Sequence, residues 1–245
     1  MREVFLMNVK MILFDLDGTL LPMDQNKFMK AYFGLLAQKL APYGYAPDEL
    51  INAIWKGSEA MVLNDGKKTN ECVFWDEFVK IYGDGVMKHY SVFEDFYIND
   101  FDNVKASCGF DPLAAETVRV LKKRGFRVAL ATNPLFPREA TERRIKWTGL
   151  SPDDFEIYTT YENSSFCKPN LAYYTEIIEK LGVRADECLM VGNDVGEDMI
   201  TERLGMKVFL VTNCLINKNN IDISAFPNGD LSALLDFVDR LVQVN

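Results

Sequence analysis

Histidine is almost missing from this sequence: its 245 residues contain a single one, His89. A Ser–His nucleophile or a histidine-bound metal has little to work with, and His89, beside Tyr90 in a predicted helix, reads as a structural or surface residue. Cysteine chemistry is equally thin. Cys72, Cys108, Cys167, Cys188 and Cys214 are odd in number, include no C-x-x-C pair and offer no zinc spacing, so they are expected as free thiols of a reducing compartment. Long apolar runs are absent too. Val4 to Met7, behind Arg2, is interrupted at once by Asn8 and Lys10, too short for a signal peptide or a membrane span. A cytoplasmic protein with no membrane partner is expected. Finally, there is no basic excess: 27 Lys and Arg face 36 Asp and Glu, a net charge of −9. Such a field does not draw in nucleic acid, and an anionic substrate would need positive charge supplied locally, by a metal and a lysine. Neither an internal repeat nor a low-complexity tract occurs.

What is present is an ordinary globular balance, 48% apolar and 26% charged. Four short apolar runs end in polar residues: Val9 to Phe14, Arg127 to Ala131, Cys188 to Val191 and Lys207 to Val211. A fifth, Phe155 to Thr159, is less regular. Helical patterns separate them. Pro112 to Arg124 places Leu113, Thr117, Val120 and Leu121 on one face, with Gly125 as a stop. Arg138 to Thr148 is charged and expected on the surface. Asn170 to Leu181 has Tyr173, Tyr174, Ile177 and Ile178 at helical spacing before Gly182, and Leu231 to Val242 is amphipathic. Strands alternating with single helices predict an α/β fold, a doubly wound parallel sheet.

One connection is far too long for that pattern. Between Asp17 and the helix near Pro112 the connection far exceeds an ordinary loop, and roughly 85–90 of its residues are enough for a domain of their own. Helical spacing runs through them: Phe28, Tyr32, Leu35 and Leu36; then Ile51, Ile54, Trp55 and Val62; then Phe74, Phe78 and Tyr82; then Val86, Tyr90, Phe93 and Tyr97. The expected organisation is a core of residues 1–22 and 110–245 with an α-helical cap at 23–109.

Ligands of open parallel sheets bind beyond the carboxyl ends of the strands. The strand endings here supply Asp15 and Asp17, Thr132 and Asn133, and Asn193, Asp194 and Asp198; Lys168, in a loop before a helix, is within reach of the same place. So many carboxylates at one site repel each other unless a cation joins them, and hard oxygen ligands suit Mg²⁺. A carboxylate can attack phosphorus, a lysine and a metal can neutralise the phosphate, a hydroxyl can hold one of its oxygens, and a second carboxyl can protonate the leaving alkoxide. Gly18 permits the sharp turn that brings both aspartates to one pocket.

Asp15-Leu16-Asp17-Gly18-Thr19-Leu20 after an apolar strand resembles the first motif of the haloacid dehalogenase superfamily. Thr132 resembles its second, Lys168-Pro169 its third, and Gly192-Asn193-Asp194 through Asp198 its fourth. The four occur in order and span the chain outside the insert. The resemblance implies a Mg²⁺-dependent phosphohydrolase. Asp15 would be nucleophile and metal ligand, and Asp17 acid/base with its backbone carbonyl on the metal. Thr132 and Asn133 would bind substrate, Lys168 would hold nucleophile and phosphate, and Asp194 and Asp198 would complete the metal site. Many members carry Asp directly after the glycine of the fourth motif. Here Asn193 stands there, leaving Asn193 or Asp194 as the direct ligand. Asp17 favours phosphoryl chemistry over dehalogenation, which needs no protonation of an alkoxide.

Taken singly, these residues have bland readings: Asp-Gly as a turn, Lys168 as a surface lysine, Asp194 and Asp198 as helix caps. Lys67, Lys68 and Arg138 are secondary candidates for a substrate anion, although a solvated loop explains the lysines as well. Asn163-Ser164-Ser165 matches a glycosylation sequon without relevance in the cytoplasm. The expected molecule is a monomer or weak dimer acting on a small phosphorylated metabolite. The rivals are a phosphoryl-transferring mutase of the same superfamily and a binding protein that kept the pocket.

Overall fold

The computed structural model describes residues 9–243, and the apolar stretch Val4 to Met7 lies outside them. Five parallel strands form one sheet: β1 (Met11–Phe14), β2 (Arg127–Leu130), β3 (Cys188–Gly192), β4 (Lys207–Val211) and the two-residue β5 (Asn228–Gly229), in the order β2-β1-β3-β4-β5. β1 pairs with β2 on one side and β3 on the other, Phe14 lying opposite both Leu130 and Val191. Strands β1 to β4 are buried on both faces over most of their length, which is why they read as continuous apolar runs. Phe155 to Thr159 forms no regular strand. It follows β2 through backbone bonds from Leu130 N–H to Ile157 O (2.9 Å) and from Thr159 N–H to Leu130 O (3.1 Å).

Period-two alternation sorts the core. Ile12, Phe14, Val128, Leu130, Leu189, Val191, Phe209 and Val211 pack against α5 (Pro112–Lys123), α6 (Arg138–Trp147) and α8 (Leu231–Gln243). Met11, Leu13, Ala129, Met190 and Leu210 face the other way, onto α7 (Leu171–Leu181). Asn170 caps α7 by accepting the Ala172 N–H at 2.9 Å, and Gly182 closes it at φ 63°. Two faces differ from the sequence reading. In α5 the buried residues are Ala114, Ala115, Thr117, Val118 and Leu121, while Leu113 is exposed: the small alanines, not the leucine, let the helix approach the sheet. The charged α6 is not a surface helix, since it buries Ala140, Thr141, Arg144, Ile145 and Trp147.

Between β1 and α5 lie α1 (Gln25–Leu40), α2 (Pro47–Val62), α3 (Asn70–Tyr82) and α4 (Tyr90–Asp95), followed by a wider helical turn over Phe96–Asp100 and a tighter one over Phe101–Ser107. In α2 Leu50, Ala53, Ile54, Gly57 and Met61 face inward; Trp55 and Val62 do not, contrary to the spacing. A Cβ on Gly57 would meet the Phe74 ring at 2.5 Å, so the bare side of α2 receives α3 and Trp55 turns outward. The hydrophobic cluster of these helices is continuous with the sheet core on the β1 side. Polar bonds add to it. Asn70, fully buried, donates through Nδ2 toward Phe166 O (3.2 Å), Cys167 Sγ (3.3 Å) and Pro134 O (3.4 Å) and accepts from Asn64 Nδ2 (2.9 Å). Its backbone N–H bonds Ser164 O at 2.8 Å. Lys67 and Lys68 are exposed and paired with Asp65 and Asp76. His89 shares a 2.9 Å hydrogen bond with the Tyr45 hydroxyl, a structural role. The cysteines are free thiols, and no helix among the described residues is long and apolar enough to cross a membrane.

Asn70→Ala strips buried carbonyls of their donor. It is expected to destabilise the protein by about 1–3 kcal/mol, read as a lower urea midpoint at unchanged slope.

Candidate active site

β1 lies where the sheet's winding reverses, so the chain leaving it enters the crevice at the carboxyl edge. Asp15 extends the ladder by one bond, its N–H donating to Val191 O at 2.9 Å. The chain then folds back tightly: Thr19, Leu20 and Leu21 all direct their N–H groups to Leu16 O, and Gly18 donates to Leu21 O at 2.8 Å. Gly18 sits at φ 93°, and a Cβ there would fall 2.2 Å from Asn193 Nδ2, so both backbone conformation and space demand glycine.

A buried network spans the crevice floor. Lys168, 2% exposed, places Nζ 2.8 Å from Asp15 Oδ1 and 2.7 Å from Asp198 Oδ1. Burial works against the ammonium's charge, but Asp15 and Asp198 overcome it and hold Lys168 well above the ordinary lysine range. Burial pushes the Asp198 carboxyl up to about 7 against the pull of Lys168. Asp198 Oδ2 accepts the Asp194 N–H at 3.0 Å, so both of its oxygens are held by protein donors. The Thr19 hydroxyl lies 3.0 Å from both Asp15 Oδ2 and Asn193 Oδ1. Asn193 Nδ2 donates to Cys214 O at 2.6 Å, and Asp194 Oδ1 accepts from the N–H groups of Gly196 and Glu197.

Asp15, Asp17, Thr132, Asn133, Asn193, Asp194 and Asp198 all border one cleft of about 340 Å³. Lys168 stands behind Asp15 rather than on the cleft wall. Among the described residues no three Asp, Glu, His or Cys side chains gather closely enough to hold a metal ion by themselves.

Three residues at the site escaped the sequence reading. Arg144 is completely buried, stacks 4.5 Å over the Phe136 ring and bonds Asp17 Oδ2 through a guanidinium N–H. Burial raises the Asp17 carboxyl above its usual range even though Arg144 opposes it. The other oxygen, Oδ1, is buried without a hydrogen-bond partner. Glu197 accepts from Asn133 Nδ2 at 3.3 Å and is likewise raised by burial. Lys218, after β4, borders the cleft opposite these acids. Only Arg144 left a trace in the sequence: its helix reads as uniformly charged, and a pattern without an apolar stripe hides a buried ion pair.

A doubly wound parallel sheet with an acidic cleft at its switch point, a buried lysine on the leading aspartate and helices inserted after the first strand defines a class of hydrolase. The model of the haloacid dehalogenase-like hydrolase family matches residues 9–201, and the chain belongs to that family. It is 25% identical over 205 residues to the pyrophosphatase PpaX of Halalkalibacterium halodurans, covering 84% of each chain. It is 26% identical over 230 residues to a phosphoglycolate phosphatase of Aquifex aeolicus, covering 94% of this chain and 95% of that one. A solved structure of a predicted phosphoglycolate phosphatase from Haemophilus somnus superposes with a TM-score of 0.59 at 20% identity over 94% of this chain and 98% of that one, a likeness of fold.

Arg144→Met leaves Asp17 without its counter-charge and is expected to cost on the order of 3 kcal/mol in chemical denaturation. Adding Asp17→Asn to that variant should recover a measurable part of the loss, which an uncoupled pair of substitutions would not do.

Proposed function

We propose that this hydrolase is a Mg²⁺-dependent phosphatase that cleaves a small phosphate monoester through an aspartyl-phosphate, with Asp15 as nucleophile. The observation that carries the reading is the pair of aspartates held differently two residues apart. Asp15 has its oxygens oriented by Lys168 and Thr19; Asp17 is fixed through one oxygen by Arg144, with the other unpartnered at the cleft. An Asp15 oxygen attacks phosphorus and forms the acyl-phosphate as the bond to the ester oxygen breaks. Asp17 Oδ1 gives its proton to the departing alkoxide and, now ionised, takes one from the water that opens the acyl-phosphate, releasing inorganic phosphate. Burial of Asp17 favours the protonated form that the first half-reaction requires. Thr132 and Asn133 bind the phosphoryl oxygens, and Asp198 keeps Lys168 aimed at Asp15. The helices at 23–109 act as a cap that limits water at the reacting centre.

The donor set fits Mg²⁺: carboxylates of Asp15 and Asp194, the amide oxygen of Asn193 and the Asp17 carbonyl are hard oxygens, and among the described residues no cysteine or histidine borders the cleft. Five acids there (Asp15, Asp17, Asp194, Glu197 and Asp198) outnumber Lys168, Arg144 and Lys218, an imbalance that a dianionic phosphate would worsen. When bound, the metal supplies the missing positive charge. The names of two relatives support a small phosphorylated substrate: PpaX is named for pyrophosphate and the Aquifex protein for phosphoglycolate.

Release of p-nitrophenol from p-nitrophenyl phosphate should require Mg²⁺, stop on chelation with EDTA and vanish in Asp15→Asn. For an alkyl ester, whose leaving group needs a proton, Asp17→Asn should lower kcat by about 10²–10⁴-fold. Turnover that survives Asp15→Asn would exclude the covalent route.

A further inference from the structure

We infer that the leaving group of the substrate is a neutral aromatic or heteroaromatic ring, received in a chamber between α1–α4 and the segments following β2; this rests on the phosphatase reading above. The chamber has a volume of about 240 Å³. A cavity of roughly 150 Å³ lined by apolar side chains is enough to take benzene, so a substituted ring fits here. Its walls are aromatic, with Tyr32, Trp75, Tyr90, Phe136 and Tyr161 among them. Such walls favour offset and edge-on contact with another ring.

The chamber adjoins the catalytic cleft, since Met29, Trp55, Ser58 and Leu135 border both. Trp55 stands at that junction, 53% exposed, packed edge-on against Phe33 at 5.5 Å. A large apolar side chain left in solvent at the mouth of a cleft is a surface that an entering ring would cover.

Charge argues against a second anionic group. Arg138 at the chamber is outnumbered by Glu94, Glu139 and Glu162. Lys67 and Lys68, the candidates for a distal carboxylate or phosphate, do not border it. Ser58 and the tyrosines stand among the rings of the wall, and such mixed lining suits a ring bearing a neutral polar substituent or a ring nitrogen. Phosphoglycolate and pyrophosphate, whose remainders are short and anionic, match neither the walls nor the charge.

The test compares benzyl phosphate, n-propyl phosphate and phosphoglycolate, all with Mg²⁺, on the wild type and Trp55→Ala. The benzyl and propyl esters both release alkoxides, so their difference reads binding more than chemistry. We expect kcat/KM for the benzyl ester to exceed that for the propyl ester by about 10-fold or more, mostly through KM. Trp55→Ala, checked for fold by circular dichroism, should bring the ratio toward one. Equal or better turnover of the propyl ester or phosphoglycolate overturns the chamber while keeping the phosphatase. If none of the esters is hydrolysed, titration of Asp15→Asn with benzyl phosphate, followed by tryptophan fluorescence, decides separately. Saturable binding that Trp55→Ala weakens keeps the chamber and discards the phosphatase, whereas no binding discards both.

Discussion

One ammonium group between two carboxylates organises the catalytic edge of this sheet. Lys168 is almost inaccessible, and an unpaired charge at that depth would cost several kcal/mol, so its bonds to Asp15 and Asp198 are a condition of folding as well as of chemistry. The same pair of bonds fixes three chain segments far apart in sequence: the turn after β1, the loop before α7 and the turn after β3. Asp198 is in turn held by the Asp194 N–H, and Thr19 joins Asp15 to Asn193. The orientation of Asp15, the proposed nucleophile, is therefore set by contacts that exist before any substrate arrives, which is how a fixed site avoids reorganising during reaction.

Arg144 solves a second electrostatic problem by a different route. Asp17 is buried close to Asp15, and burial together with that neighbouring charge raises its proton affinity. The guanidinium relieves this from one side only, through Oδ2, and its flat face rests on Phe136, so little water is needed to accommodate the charge. Phe136 is also a wall of the aromatic chamber. One ring thus supports the partner of Asp17, the proposed acid/base, on one side and borders the space proposed for the leaving group on the other.

Much of this was legible in the sequence. The sheet was readable because strands buried on both faces leave unbroken apolar runs, and three of those runs, ahead of Asp15, Thr132 and Asn193, ended in polar residues that border the cleft. α7 was readable from Tyr173, Tyr174 and Ile177 with its asparagine and glycine caps. Three kinds of information were not. β5 is two residues long and carries no pattern. Faces of α2 and α5 are chosen by where the backbone can approach, at Gly57 and at Ala114 and Ala115, rather than by where the largest apolar side chains lie. Arg144 and Glu197 owe their places to partners in distant segments, and Lys218 reaches the cleft on the connection after β4, none of which local spacing records.

Asn70 has a wider consequence. Its amide ties the start of α3 to the carbonyls of Pro134 and Phe166, in the very loops that carry Thr132 and Lys168, while the hydrophobic cluster passes without a break from β1 into α1–α4. Helices attached in this manner are poorly placed to melt ahead of the sheet. Heat should meet one cooperative unit, with the insert and the catalytic loops lost together in a single transition and amide hydrogens on both sides of the junction exchanging at a common free energy.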